Sequence, residues 1–182
     1  NTEEKSPDND LVIAIEGSVS SMDPANIPDT NAISATRGCY EMLVAFDENQ
    51  EIQGQLAESY EVSEDSLTYT FHLREGVKFT DGTDFNAAAV KANYDRIIDK
   101  ENNLRQRRTF VVTGEDGSET YRVESIETPD DYTVVFKLTE PWAPFINRMT
   151  QICMISPAAL EEYGNDIMNH PVGTGPFICT EW

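Results

Sequence analysis

The stretch from Ala57 to Phe85, AESYEVSEDSLTYTFHLREGVKFTDGTDF, constrains the fold more than any other part of the chain. From Thr68 to Arg74 polar and apolar residues alternate, with Tyr69, Phe71 and Leu73 on one side and Thr70, His72 and Arg74 on the other. That period of two predicts a half-buried strand. Turns at Gly76 and at Thr80-Asp81-Gly82 follow, where glycine tolerates the positive φ of a tight corner. Asn86 then offers a side-chain cap to Ala87, Ala88 and Ala89, strong helix formers. Val90, Tyr94, Ile97 and Ile98 share one face of the predicted helix, and Lys91, Asp95, Arg96 and Asp99 lie elsewhere.

Around this segment the reading is coarser. Asp10 to Glu16, DLVIAIE, has the look of a buried strand ending in the loop GSVSSMDP. Ile33, Thr36, Arg37, Tyr40, Met42 and Leu43 recur at spacings of three and four, which predicts a helix over 31–46 capped by Asp29 or Thr30. Thr109 to Thr113 and Glu119 to Ile126 are expected to form a hairpin through Asp116-Gly117. After a TPDDY turn, Thr133 to Leu138 alternates again. A short helix is expected at Phe145 to Met149 and a buried strand at QICMIS. Ser156 and Pro157 should then start a helix that stops at Gly164. The chain closes on HPVGTGPFICTEW, read as a turn into an apolar strand.

Charge limits the functions available. Thirty-three acidic residues face 13 basic ones among 182, a formal charge of −20. Such a field repels nucleic acid and anionic lipid surfaces. Arg105 to Arg108, RQRR, is the one basic run, and it reads as a solvated loop or helix end. No apolar run reaches the roughly eighteen residues of a membrane helix. Cys39, Cys153 and Cys179 lack metal or redox spacing and suit buried thiols, with a Cys153–Cys179 bridge as the other option. There is no G-x-S-x-G elbow, no H-E-x-x-H pair, no phosphate loop and no complete dinucleotide fingerprint, so neither an enzyme nor a cofactor or metal site is expected.

In order and spacing, several segments resemble the peptide/nickel class of extracellular solute-binding proteins, family 5. They are SMDPANIPD, CYEMLVAFDENQEI, the long stretch from LAESYEV to NYDRI, ESIETPDDYTVVFKLTEPWAPF, SPAAL and PVGTGPF. The resemblance implies an α/β fold of the periplasmic-binding-protein type (type II, cluster C), with mixed-sheet lobes and an α+β insertion. Residues 1–46 and 151–182 would form an incomplete first lobe and 47–150 the inserted unit. Family members are usually much longer, so a second lobe is expected beyond Trp182. The polar leader NTEEKSPDND would follow the lipid-bearing cysteine of an exported lipoprotein.

The implied activity is capture of extracytoplasmic dipeptides or oligopeptides and delivery to the permease subunits of an ABC transporter. A nickel chelate, glutathione or an oligosaccharide on the same fold is the alternative, as is an isolated interaction module. In relatives the loop after the Asp-Pro pair faces the cleft, which points here to Ile27, Pro28, Asp29, Thr30 and Asn31. The same residues equally suit plain capping of the helix that follows. Gln151 and Ile152 occupy positions that line the cleft in some relatives. Relatives holding anionic metal chelates place an arginine near that point, and its absence here favours peptides over nickel chelates.

Overall fold

The structure, a computed structural model, describes residues 14, 16–27 and 30–181. In chain order these form α1 (Thr30–Thr36), β1 (Val44–Phe46), β2 (Ile52–Gly54), β3 (Ala57–Val62), β4 (Thr68–Leu73) and α2 (Ala87–Ile98). Next come α3 (Arg107–Phe110), β5 (Val111–Thr113), β6 (Glu119–Tyr121), β7 (Val123–Asp130), β8 (Thr133–Leu138), α4 (Phe145–Met149) and α5 (Pro157–Tyr163). The expected strand at 10–16 lies almost wholly outside the described residues.

The alternating strand is β4, and it sits inside a four-stranded antiparallel sheet of order β3-β4-β8-β7. Tyr69, Phe71 and Leu73 are buried, and Thr68, Thr70 and His72 are half-buried on the other face. β8 follows the same period, and its register sets Phe136 opposite Tyr69 and Val134 opposite Phe71. Asn86 caps α2 by accepting from the Ala89 amide at 3.0 Å. The helix lays Val90, Tyr94 and Ile97 into the same core. Phe136 meets Phe71 edge-on at 5.6 Å and Tyr94 at 4.8 Å, geometry that adds to simple area burial.

The two turns of the opening segment do more than reverse the chain. Gly76 and Gly82 both take positive φ, at 73° and 86°. Between them Asp81 accepts from the Thr83 amide and hydroxyl and from the Ser156 hydroxyl, and the Thr80 amide donates to the Gly173 carbonyl at 2.9 Å. The turn is thereby pinned to the start of α5. A second, smaller core gathers there from Met22, Cys39, Tyr40, Ile155, Ala159 and Ile167, and Val172 packs against both cores.

Several expectations are corrected. The first helix ends at Thr36, and Val44–Phe46 is a strand paired with Ile52–Gly54. Met42, Leu43 and Val44 are consecutively buried, which a surface helix with one apolar face does not allow. Thr109 and Phe110 fall in α3, so the Gly117 hairpin joins only β5 to β6, while β7 runs on through Asp130 into the central sheet. QICMIS is not a ladder strand. Its backbone groups go to different partners: Met154 N–H to the Glu41 carbonyl, Ile155 N–H and C=O to the Asn93 side chain, and Ser156 N–H to the Val172 carbonyl.

The closing PVGTGPF segment is likewise no strand. A Cβ on Gly173 would stand 2.2 Å from the Cys39 carbonyl oxygen, so glycine is required there for close approach. Gly175 and Phe177 donate to the Cys39 and Gly38 carbonyls at 2.9 and 3.1 Å. The three cysteines are free thiols.

Candidate functional site

The loop after Gly17 is held from within by Asp23. Its Oδ1 accepts from the Ala25 amide at 3.0 Å, a local turn that aspartate favours. The Arg96 guanidinium, projecting from α2, grips both carboxylate oxygens at 3.2 and 2.6 Å. The two side chains are only 13% and 7% exposed, so this fork-to-fork pair is screened far less than a surface one. The Ala25 carbonyl accepts from the Gln106 amide at 3.1 Å, which brings the segment before α3 against the loop. Ile27 is set at the rim of what this arrangement encloses.

That enclosure is a cleft of about 410 Å³ built from three separated parts of the chain. Ile27, Ile33 and Arg37 line it from the first part, Arg105 and Arg108 from the second, and Arg148 and Gln151 from the third. Gln151 is fastened in place: its carbonyl accepts from the Gln106 side-chain amide at 2.9 Å, and its Oε1 accepts from Arg148 at 3.5 Å. No carboxylate lines the cleft among the described residues. None of them forms an ion pair with Arg37, Arg105, Arg108 or Arg148. Arg107, by contrast, is committed to Glu119 at 2.9 Å and to the Ile98 carbonyl at 2.8 Å.

Guanidinium groups stay charged at any physiological pH, so four with no carboxylate partner among the described residues make a local positive field in a chain of charge −20. Cys153 also lines the cleft; burial pushes its thiol up to about 12 against the opposing charge of Arg37, which keeps it neutral. Chemically the cleft can receive an anion in planar, bidentate fashion. Among the described residues no group of His, Cys, Asp and Glu is arranged to hold a metal, and no helix is long and apolar enough to cross a membrane.

Of the residues expected at the site, the structure brings Ile27 and Gln151 together on this cleft. Ile152 is 1% exposed and belongs to the larger core. Thr30 and Asn31 open α1, and the Asn31 amide donates to the Glu16 carbonyl at 2.5 Å. Pro28 and Asp29 lie outside the described residues. The arginines were missed as a group. Arginines do stand near Gln151: Arg148 from three positions earlier, and Arg105 and Arg108 of the RQRR run, which is the exposed start of α3, as read from the sequence, and also lines the cleft. The signal was an isolated basic run in a strongly acidic chain.

The chain is similar to known proteins over most of its length. Residues 51–182 match the bacterial extracellular solute-binding proteins, family 5 middle region. The glutathione-binding protein GsiB of Escherichia coli O157:H7 is 42% identical over 175 residues, covering 95% of this chain and 32% of that protein. The periplasmic binding protein AgaA from A.tumefacien R10, solved with agropinic acid, superposes with a TM-score of 0.80 at 32% identity, over 91% of this chain and 32% of its own. DppA from Helicobacter pylori, solved with the peptide STSA, gives 0.71 at 33% identity, over 90% and 35%. The chain therefore spans about a third of the length of the relatives it matches. It belongs to the family 5 bacterial extracellular solute-binding proteins, and its fold is that of their type II periplasmic-binding-protein class.

Proposed function

We propose that the chain is the N-terminal part of an ABC-transporter substrate-binding protein that captures dipeptides or oligopeptides outside the cytoplasm and hands them to a membrane permease. Family 5 proteins are extracytoplasmic solute binders and not enzymes. The observation that carries the peptide reading is the cleft that Ile27 and Gln151 both line, in a chain related to proteins that hold the peptide STSA and glutathione. Ile27, Pro28, Asp29, Thr30, Asn31, Gln151 and Ile152 are the expected contact region, with Ile27 and Gln151 the contacts best supported.

On this reading residues 1–46 and 151–182 form the first lobe and 47–150 the inserted unit. The separate core of Met22, Cys39, Tyr40, Ile155, Ala159 and Ile167 supports such a division. A second lobe would close over the cleft and bury the ligand from both sides, which is how a clamp gains affinity. A lipid anchor ahead of Asn1 would keep the protein at the cell surface. The test is native mass spectrometry of the longer protein, purified without denaturation. A retained short peptide is the expected result; a retained sugar or metal chelate would overturn it.

A further inference from the structure

Four of the eight arginines in the chain, Arg37, Arg105, Arg108 and Arg148, face one cleft of about 410 Å³. With 33 acidic residues available, every one of the described carboxylates is nevertheless kept off its walls. The four side chains are exposed, so solvent screens their mutual repulsion, and an anionic occupant can pair with them where a neutral one cannot. The remaining lining is mixed: Pro24, Ile27, Met42 and Ile33, the last 42% exposed, give it an apolar part, and Gln106, Thr109 and Gln151 a neutral polar one. The cleft thus combines a guanidinium cluster with an aliphatic rim.

We infer that this cleft receives the carboxylate end of the captured solute, and that the solute is an acidic peptide or peptide-like acid bearing more than one carboxylate. The inference rests on the solute-capture reading and adds the ligand's charge to it. A zwitterionic peptide with one carboxylate and one ammonium is net neutral and leaves most of the cluster uncompensated. A multivalent carboxylate matches the planar forks of several arginines at once, and its aliphatic carbons meet Ile27 and Ile33. Inorganic phosphate fits less well, because it has no aliphatic carbons to set against Ile27 and Ile33.

The test uses the chain labelled with ¹⁵N-arginine, reading the Nε–Hε signals by NMR, where weak binding at millimolar concentrations is still seen. The probes are the tripeptide Glu-Ala-Glu, its uncharged counterpart N-acetyl-Gln-Ala-Gln amide, and inorganic phosphate. Glu-Ala-Glu is expected to move the cleft arginine signals with an apparent Kd at least about tenfold below that of the amide, an advantage that fades as salt is raised. The double variant R105Q/R108Q should weaken Glu-Ala-Glu by about tenfold while its thermal melt stays unchanged. Equal affinity for the two peptides, tighter binding of phosphate, or arginine signals that none of the probes moves would overturn the inference. Its failure is separable from that of peptide import. A neutral peptide retained by the longer protein would sink the acidic-ligand inference and leave the import reading standing.

Discussion

The central sheet with α2 and the arginine-lined cleft are built on opposite principles. In the sheet, Phe71, Phe136 and Tyr94 satisfy one another, and the polar groups that accompany them are capped or laddered. In the cleft, Arg37, Arg105, Arg108 and Arg148 converge without a carboxylate among the described residues to answer them. Completed interactions hold a fold; uncompleted ones are what a ligand can complete. The Asp23–Arg96 pair stands between the two, a finished contact whose effect is to position an unfinished surface.

The contrast is broken most directly at Phe71, which is fully buried. Phe71→Ala should cost about 3 to 5 kcal/mol in denaturant melts. A loss well under 1 kcal/mol would show that the sheet face is not the core it looks to be.

The clamp comes next. Arg96→Ala leaves the Asp23 carboxylate buried without its partner and should cost on the order of 3 kcal/mol. It should also weaken peptide binding at the cleft, because the loop carrying Ile27 loses its brace. Pairing Arg96→Met with Asp23→Asn should recover much of the stability but not the binding, and a double-mutant cycle read in both assays tests that separation.

Asp81 offers a smaller and pH-dependent effect. Burial acts to raise its pKa, but hydrogen bonds from Ser156 and Thr83 outweigh that and hold the carboxyl below the ordinary 3.8. A group with a depressed folded-state pKa stabilises above its unfolded value, and the contribution is lost as pH falls through the folded value. Asp81→Asn should therefore be less stable than the parent at neutral pH by roughly 1 kcal/mol. The two should converge in melts below pH 3.8. A gap that persists in acid would mean the charge on Asp81 is not what fastens the turn to α5.

The smallest effect on stability is expected at the cleft itself. R105Q/R108Q should leave the melt within about 0.5 kcal/mol of the parent, since both side chains are exposed and neither forms an ion pair among the described residues. A clear destabilisation would place these residues with the sheet, as parts of the fold, and erase the distinction drawn above.

Legibility followed the same division. β4, β8 and α2 were readable because each has one wet and one dry face, so burial leaves a period in the sequence. The helix predicted over 31–46 was overextended because spacings of three and four fit Ile33 to Tyr40. Nothing local says that Met42 to Val44 is buried on all sides. QICMIS and PVGTGPF read as strands on composition, whereas their backbone bonds go to Asn93, Glu41, Cys39 and Gly38, partners that only folding brings near. Ile152 looked like a cleft residue by analogy and lies in the core, while Arg148, three positions earlier, reaches the cleft.

By itself, then, the sequence determined the family, the central sheet and its capped helix, and the candidate loop after Asp23-Pro24. Those depend on periodicity, turn chemistry and the order of short segments along the chain. Only the tertiary structure decided that Ile27 and Gln151 share a cleft and that arginines from positions 37, 105, 108 and 148 line it. A charge carries no period along the sequence, and its meaning depends on which neighbours the fold gives it or withholds.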